Sequence, residues 1–222
     1  IHGLLRDIER QKLSKSKGNV GDPLLVCDQY GTDAVRFTLA RLGAPGSDLI
    51  LVESQLDSYR AFVTKIWNAA RFILGHVDDT TELPSEEEID RMELSLADRW
   101  ILSRQARMIE SVNLALDRYF LHEATRSLYQ FFWHEFCDWY LEMTKLHPHE
   151  SRPVLLYVLE SSLRMLHPFM PFVTEEIWQK LKPNLTGPNG KYPSIMISPY
   201  PSADESLLDV DAEQELKLIT EV

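Results

Sequence analysis

Three lysines and two serines fall within the six residues from Lys12 to Lys17, with Gly18 and Asn19 directly behind them. An ammonium is a compact point charge with three donors, suited to negative charge that grows during a reaction. Serine hydroxyls and backbone N–H groups add donors, and a glycine lets the backbone approach a ligand closely. Lys12, Ser14, Lys15 and Ser16 therefore make a candidate phosphate-holding loop. Composition alone describes a solvated lysine-rich surface equally well, so the surroundings must decide. The loop is not a Walker A turn, because Gly18 is followed by Asn19 rather than by Lys-Ser or Lys-Thr.

Before the loop, the apolar run around Leu4 and Leu5 reads as a strand, and no convincing partner strand follows it. This points to a sheet lying upstream. After the loop, Asp22-Pro23 starts a helix that Gly31 closes, and Thr32 caps a second helix ending near Leu42 at Gly43. From Glu53 the pattern lengthens. Leu56, Tyr59, Val63, Ile66, Ala70, Ile73 and Val77 make one apolar stripe. An acidic linker, 78–92, leads to Ser95 and Asp98, a partial capping box opening a helix striped by Trp100, Ile101, Met108, Val112, Leu116 and Tyr119. A third helix spans 121–146 and ends at His147-Pro148; a fourth carries Val154 to Leu166 and stops at His167-Pro168. A short piece, 174–181, and a proline-rich loop, 183–201, precede what reads as the opening turns of another helix, 211–222. The fold class is mainly α, an antiparallel helix bundle.

The net charge of −11 argues against a general polyanion binder. Residues 1–75 carry 10 basic and 8 acidic groups, so the lysine loop occupies the part of the chain that is not acidic. Cys27 and Cys137 are far apart in apolar runs and read as small buried hydrophobes of a reducing compartment, the cytoplasm. No apolar stretch approaches the roughly 20 residues that span a bilayer.

On the first long helix, Asn68, Arg71 and Phe72 fall opposite the apolar stripe, within roughly a 100° sector. An amide, a guanidinium and a ring placed so either read and stack an unpaired base or, in the case of Phe72, pack on a neighbour. Phe131, Phe132, Trp133, Phe136, Trp139 and Tyr140 surround more than one helix face, as a central bundle helix requires, and are left out of the site. His134, His147 and His149 lack the convergent partners a metal needs, so no protein-bound metal is expected. Glu175-Glu176 reads as a carboxylate pair in a first helical turn.

The loop 12–19 with Asp22-Pro23 is followed in order by Tyr30-Gly31-Thr32-Asp33-Ala34-Val35-Arg36-Phe37, Trp67-Asn68-Ala69-Ala70-Arg71-Phe72, Leu96-Ala97-Asp98-Arg99-Trp100-Ile101-Leu102, Phe136-Cys137-Asp138-Trp139-Tyr140-Leu141-Glu142 and His167-Pro168-Phe169-Met170-Pro171-Phe172. This series resembles the class I aminoacyl-tRNA synthetases over nearly the whole chain, the loop matching their Lys-Met-Ser-Lys-Ser signature with Leu13 for methionine. Several blocks are shared with the isoleucyl and leucyl branches; the block from Phe136 to Glu142 and the Lys-Gly-Asn ending favour the valyl branch.

The resemblance implies a ligase that joins valine to tRNA(Val) with ATP and Mg2+, the metal held mainly by a catalytic half not in this sequence. Lys15, assisted by Lys12, would stabilise departing pyrophosphate, with Ser14 and Ser16 supporting the loop. Residues 1–51 would end a Rossmann-type catalytic domain, and 52–222 would form a helical anticodon-binding domain with a truncated C-terminal extension. The parent would be a cytoplasmic monomer. With the His-Ile-Gly-His signature missing, the segment alone is expected to be catalytically inactive. Rival readings are an isoleucyl or leucyl enzyme with the same architecture, or a non-catalytic helical module that binds RNA or protein.

Overall fold

The computed structural model describes residues 3–6, 9, 11–12, 22–44, 46, 48–77, 81–145, 150–185 and 191–220. In chain order they form β1 (Leu5–Arg6), α1 (Pro23–Tyr30), α2 (Thr32–Leu42), β2 (Leu49–Ile50), α3 (Glu53–Leu74), α4 (Glu86–Ile89), α5 (Leu96–Asp117), α6 (Leu121–Tyr129), a π-helical segment (Gln130–Tyr140), α7 (Leu141–Thr144), α8 (Arg152–Leu166), α9 (Pro171–Leu181) and α10 (Val210–Thr220). The protein is mainly α, as its periodicity predicts. One core runs through the bundle, joining Phe62 and Ile66 of α3, Ile101 and Val112 of α5, Phe132 and Phe136 of the π segment, Leu159 of α8 and Trp178 of α9.

Local chemistry sets most helix ends as expected. The Asp22 carboxylate accepts from the Leu24 N–H at 2.9 Å with Pro23 in the first turn, and Gly31, at φ 91°, closes α1. Ser95 and Asp98 form a reciprocal capping box, with both N–H to side-chain distances 3.1 Å. Asp98 also accepts the hydroxyl of buried Tyr140, which ties the π segment to the start of α5.

Several expectations are corrected. Thr32 does not cap α2: Gly31 occupies the cap position and no side chain serves it. The first strand does have a partner, since β1 pairs in parallel with β2, Leu5 against Leu49 and Arg6 against Ile50. Asp48 fixes that pair, accepting from the Leu4 N–H at 2.9 Å and pairing with Arg6; strands of two residues leave no alternation to read. The linker 78–92 contains α4, opened where the Ser85 N–H donates to the Glu88 carboxylate at 2.8 Å, with Ile89 fully buried behind it. Cys137 is buried but Cys27 is only half-buried.

The third helix is continuous in direction but not in winding. Through Gln130–Tyr140 it is π-helical, a winding whose backbone bonds span five residues, so that residues four and five apart share a face. Phe131, Phe136 and Leu141 share that spacing, as do Phe132 and Cys137, and all five are buried. The Phe131 and Phe136 rings lie nearly parallel, 6.4 Å apart. Six aromatics in 11 residues fit this wider helix, which lets two apolar rows face the core. The expected stop at His147-Pro148 lies outside the described residues.

Helix α2 clamps the corner between α8 and α9. The buried Asp33 carboxylate accepts from the N–H groups of Phe172 at 3.2 Å and Val173 at 2.7 Å, capping α9 from another helix. One turn on, Arg36 donates from Nε to the Phe169 carbonyl at 3.3 Å and from Nη2 to the Pro168 carbonyl at 3.0 Å. This distant cap also corrects the start of α9, which begins at Pro171, ahead of the expected 174. Phe37, directly after Arg36 on α2, is fully buried, with ring centroids 5.3 Å from Phe62 and 6.3 Å from Phe169. Burial pushes the Asp33 carboxyl upward, and the two backbone donors pull against that.

Helix α10 docks on α5 through charge. Asp209 caps it, accepting from the Ala212 N–H at 2.8 Å while pairing with Arg99 at 2.7 Å. Glu213 receives the Ser103 hydroxyl and Arg107 Nε, the latter at 2.6 Å. Ala212 and Leu216 are buried beneath. The Ala212 N–H, with Arg99, holds the Asp209 carboxyl below its usual range. Burial alone would raise Glu213, but Ser103, Arg107 and Arg104 outweigh it and hold that carboxyl low as well.

Two expectations follow for stability. Asp33→Ala, measured by chemical denaturation, is expected to cost about 0.5–2 kcal/mol through loss of the α9 cap, and Asp33→Asn less, because an amide oxygen still accepts. Carboxyls depressed by folding stabilise above their unfolded pKa, near 4, and that contribution fades as pH falls through the lower folded values. Hydrogen-exchange protection of 210–220 is therefore expected to hold from neutral pH down to about 5 and to fall below about 4.

Candidate nucleic-acid interface

The residues picked from the sequence fall at two places. Lys12 is exposed and forms an isolated antiparallel bridge with Arg6, which puts the start of the lysine loop beside the β1–β2 pair. Ser14, Lys15 and Ser16 lie outside the described residues.

Asn68 and Phe72 sit one turn apart on α3, on the side facing α7, and together line a groove of about 180 Å³. Its opposite wall is Cys137, Leu141, Glu142 and Lys145, and Lys65 closes one end. Asn68 is exposed. Phe72 is half-buried, packed partly on the core while bordering the groove. Both uses anticipated for that ring, packing and presentation, are thus compatible at one position. Arg71 is exposed and is not among the groove-lining residues.

The two lysines are what sequence reasoning missed. Lys65 Nζ bonds Asp138 at 2.9 Å and lies 5.4 Å from the centre of the Trp133 ring. Lys145 Nζ bonds both oxygens of Glu142 at 2.7 Å and lies 6.0 Å from the centre of the Phe72 ring. Burial alone would lower the Lys65 ammonium, but Asp138 reverses this and holds it above its usual value. Each ammonium group lies over an aromatic face and pairs with a carboxylate. Asp138 also lies 3.3 Å from His134 Nδ1, and the His76 ring lies 4.2 Å from that of Phe72. The spacing from Lys65 to Phe72 along α3 was open to inspection; the pairing of that face with α7 was not, because it depends on two helices distant in sequence.

Such a groove offers a ring to stack on, an amide to read a donor–acceptor edge, and cations within reach of a phosphate. It does not offer nucleophilic chemistry. Burial pushes the Cys137 thiol up to about 12, so it stays protonated. Among the described residues no group of histidine, cysteine and carboxylate side chains is arranged to hold a metal ion, and no helix is long and apolar enough to cross a membrane.

Residues 98–222 match the family model described as the anticodon-binding domain of tRNA ligase, and residues 1–51 match that of the class I tRNA synthetases (I, L, M and V). Valine–tRNA ligases of Solibacter usitatus and Pseudothermotoga lettingae are each 46% identical to the chain over its whole length. The chain spans 25% of the length of each. Among solved structures, the ternary complex of Agrobacterium radiobacter K84 agnB2 LeuRS with tRNA and LeuAMS superposes with a TM-score of 0.74 at 22% identity, covering 94% of this chain and 24% of that one. Mycobacterium tuberculosis methionyl-tRNA synthetase in complex with methionyl-adenylate gives 0.64 at 20% identity, covering 82% of this chain and 37% of that one. At such identities the structures speak to the fold alone. The chain belongs to the family of anticodon-binding domains of tRNA ligases, which it carries behind a segment of the class I synthetase type.

Proposed function

We propose that the chain is a segment of a valine–tRNA ligase, in which residues 1–51 end the catalytic domain and residues 52–222 form the domain that reads the anticodon. The observation that carries the reading is the α3–α7 groove, where Asn68 and Phe72 meet two oriented lysines across from a wall, Cys137 to Lys145, that belongs to the residues 98–222 matching the anticodon-binding model. Identity to valine–tRNA ligases over the full chain favours valine among the class I substrates.

In this reading the substrates are valine, ATP with Mg2+, and tRNA(Val). The valine carboxylate attacks the α-phosphorus of ATP and pyrophosphate leaves; a terminal ribose hydroxyl of the tRNA then attacks the valyl carbonyl and AMP leaves. Lys15 and Lys12 stabilise the negative charge that collects on pyrophosphate, and Ser14 and Ser16 donate to phosphate oxygens. The exposure of Lys12 beside the strand pair is compatible with that role. Phe72 stacks an unpaired anticodon base, Asn68 bonds its edge, and Arg71 lies one turn along the same exposed face to meet the backbone. The parent enzyme acts as a cytoplasmic monomer.

Phe72→Ala is expected to weaken binding of tRNA(Val) to this chain by about 1–3 kcal/mol, roughly 5- to 150-fold in dissociation constant. A tRNA with altered anticodon bases should bind the unsubstituted chain about as weakly. Equal affinity of both proteins for both RNAs would remove the groove from the site. In the complete ligase, Lys15→Ala should lower valine-dependent ATP–pyrophosphate exchange by about 10²–10³.

A further inference from the structure

A larger cleft, of about 600 Å³, opens between α5, the π-helical segment and α10. Its volume lies within the range of small-ligand sites. It is separate from the α3–α7 groove: Cys137 lines that groove and Trp139, two residues on, lines this cleft.

The lining is unusual in what it leaves unused. Other rings of the π segment find ring partners, Phe136 with Phe131 and Tyr140, and Trp133 with Tyr129. Trp139 has no ring partner among the described residues and is 37% exposed, while Trp100 beside it is only 6% exposed. Gln130 on the π segment and Gln214 on α10 bring amides from two walls, and neither makes a hydrogen bond to another described residue. By contrast, Arg104 is fully engaged, donating from Nε and Nη2 to the two Glu135 oxygens at 2.9 Å each, with Glu213 3.7 Å away. The fork-to-fork pair fixes the guanidinium plane and cancels its charge.

An exposed indole without a partner, unengaged amides and a cancelled charge suit a flat, neutral ring with donors and acceptors on its edge. They do not suit an isolated phosphate: Arg104 and Lys217 are matched in the lining by Glu135 and Glu213. We propose that this cleft is a second binding site, which takes one unstacked nucleobase. Trp139 stacks on the base and the two glutamines bond its edge. The base comes either from a free nucleotide or from an unpaired position in an RNA. Helix α10 supplies one wall, so the site exists only while Asp209 and Glu213 hold that helix on α5.

The test is NMR of the tryptophan indole N–H signals of the 15N-labelled chain, titrated separately with AMP, CMP, GMP and UMP and with single-stranded heptanucleotide RNA. Saturable shifts of Trp100 and Trp139 are expected. If mononucleotides suffice, the source is a free nucleotide; if only the oligonucleotide acts, it is RNA. Trp139→Ala, which removes an exposed ring and should leave thermal unfolding unchanged, is expected to weaken the response of Trp100 about tenfold or more. Phe72→Ala should leave it intact, separating this site from the anticodon groove. No shift with any of these probes, shifts confined to Trp133 beside the groove, or an undiminished Trp100 response in Trp139→Ala would each overturn the proposal.

Discussion

The arrangement depends on the grip of α2 on the turn between α8 and α9. A helix leaves N–H groups unpaired at its start and carbonyls unpaired at its end. At this corner the turn carbonyls of Pro168 and Phe169, just past the end of α8, lie beside the N–H groups of Phe172 and Val173 that open α9. A single helix carrying Asp33 and Arg36 one turn apart satisfies both with charges of the correct sign. The same helix sinks Phe37 between Phe62 and Phe169. A segment that begins beside the lysine loop is thereby joined to the helix that bears Asn68 and Phe72.

The second constraint is the width of the aromatic helix. The π winding puts residues four and five apart on one face, and Phe131, Phe132, Phe136, Cys137 and Tyr140 are all buried, with Asp98 fixing the far end through Tyr140. The segment also borders two surfaces: Cys137 and, on α7, Leu141 reach the α3 groove from the buried rows, whereas His134, Glu135 and Trp139 border the cleft under α10. One crowded helix thus serves two polar surfaces without giving up its share of the core.

What the sequence made legible was local. Asp22-Pro23, Gly31, Ser95 with Asp98 and His167-Pro168 act within a few residues of themselves, and the structure places helix ends at each. What stayed hidden was chemistry whose partner is distant. Asp33 looks like a first-turn carboxylate of its own helix and instead caps α9. Glu175 looks like half of a helix-dipole pair, yet it accepts from Ser194 Oγ at 2.8 Å and the Ile195 N–H at 3.2 Å, fastening the loop behind α9. The groove divides the same way. Asn68 and Phe72 could be placed by counting turns of one helix, while Lys65 and Lys145 gain meaning only from the rings and carboxylates of another.

The pairing of those lysines bears on how an acidic chain could recognise RNA. With a net charge of −11, attraction over long distance is unfavourable, and unpaired cations in the groove would attract any phosphate within reach. Here Asp138 and Glu142 pair with Lys65 and Lys145, so a phosphate would gain only the difference between itself and a carboxylate already in place. Contacts to backbone phosphates position a nucleic acid, whereas base edges and stacking distinguish one sequence from another. Under the proposed function, holding the cations in neutral pairs would reduce the first contribution and leave the second to Phe72 and Asn68. Discrimination in that proposal would rest on the bases that fit between α3 and α7 rather than on the charge every RNA carries.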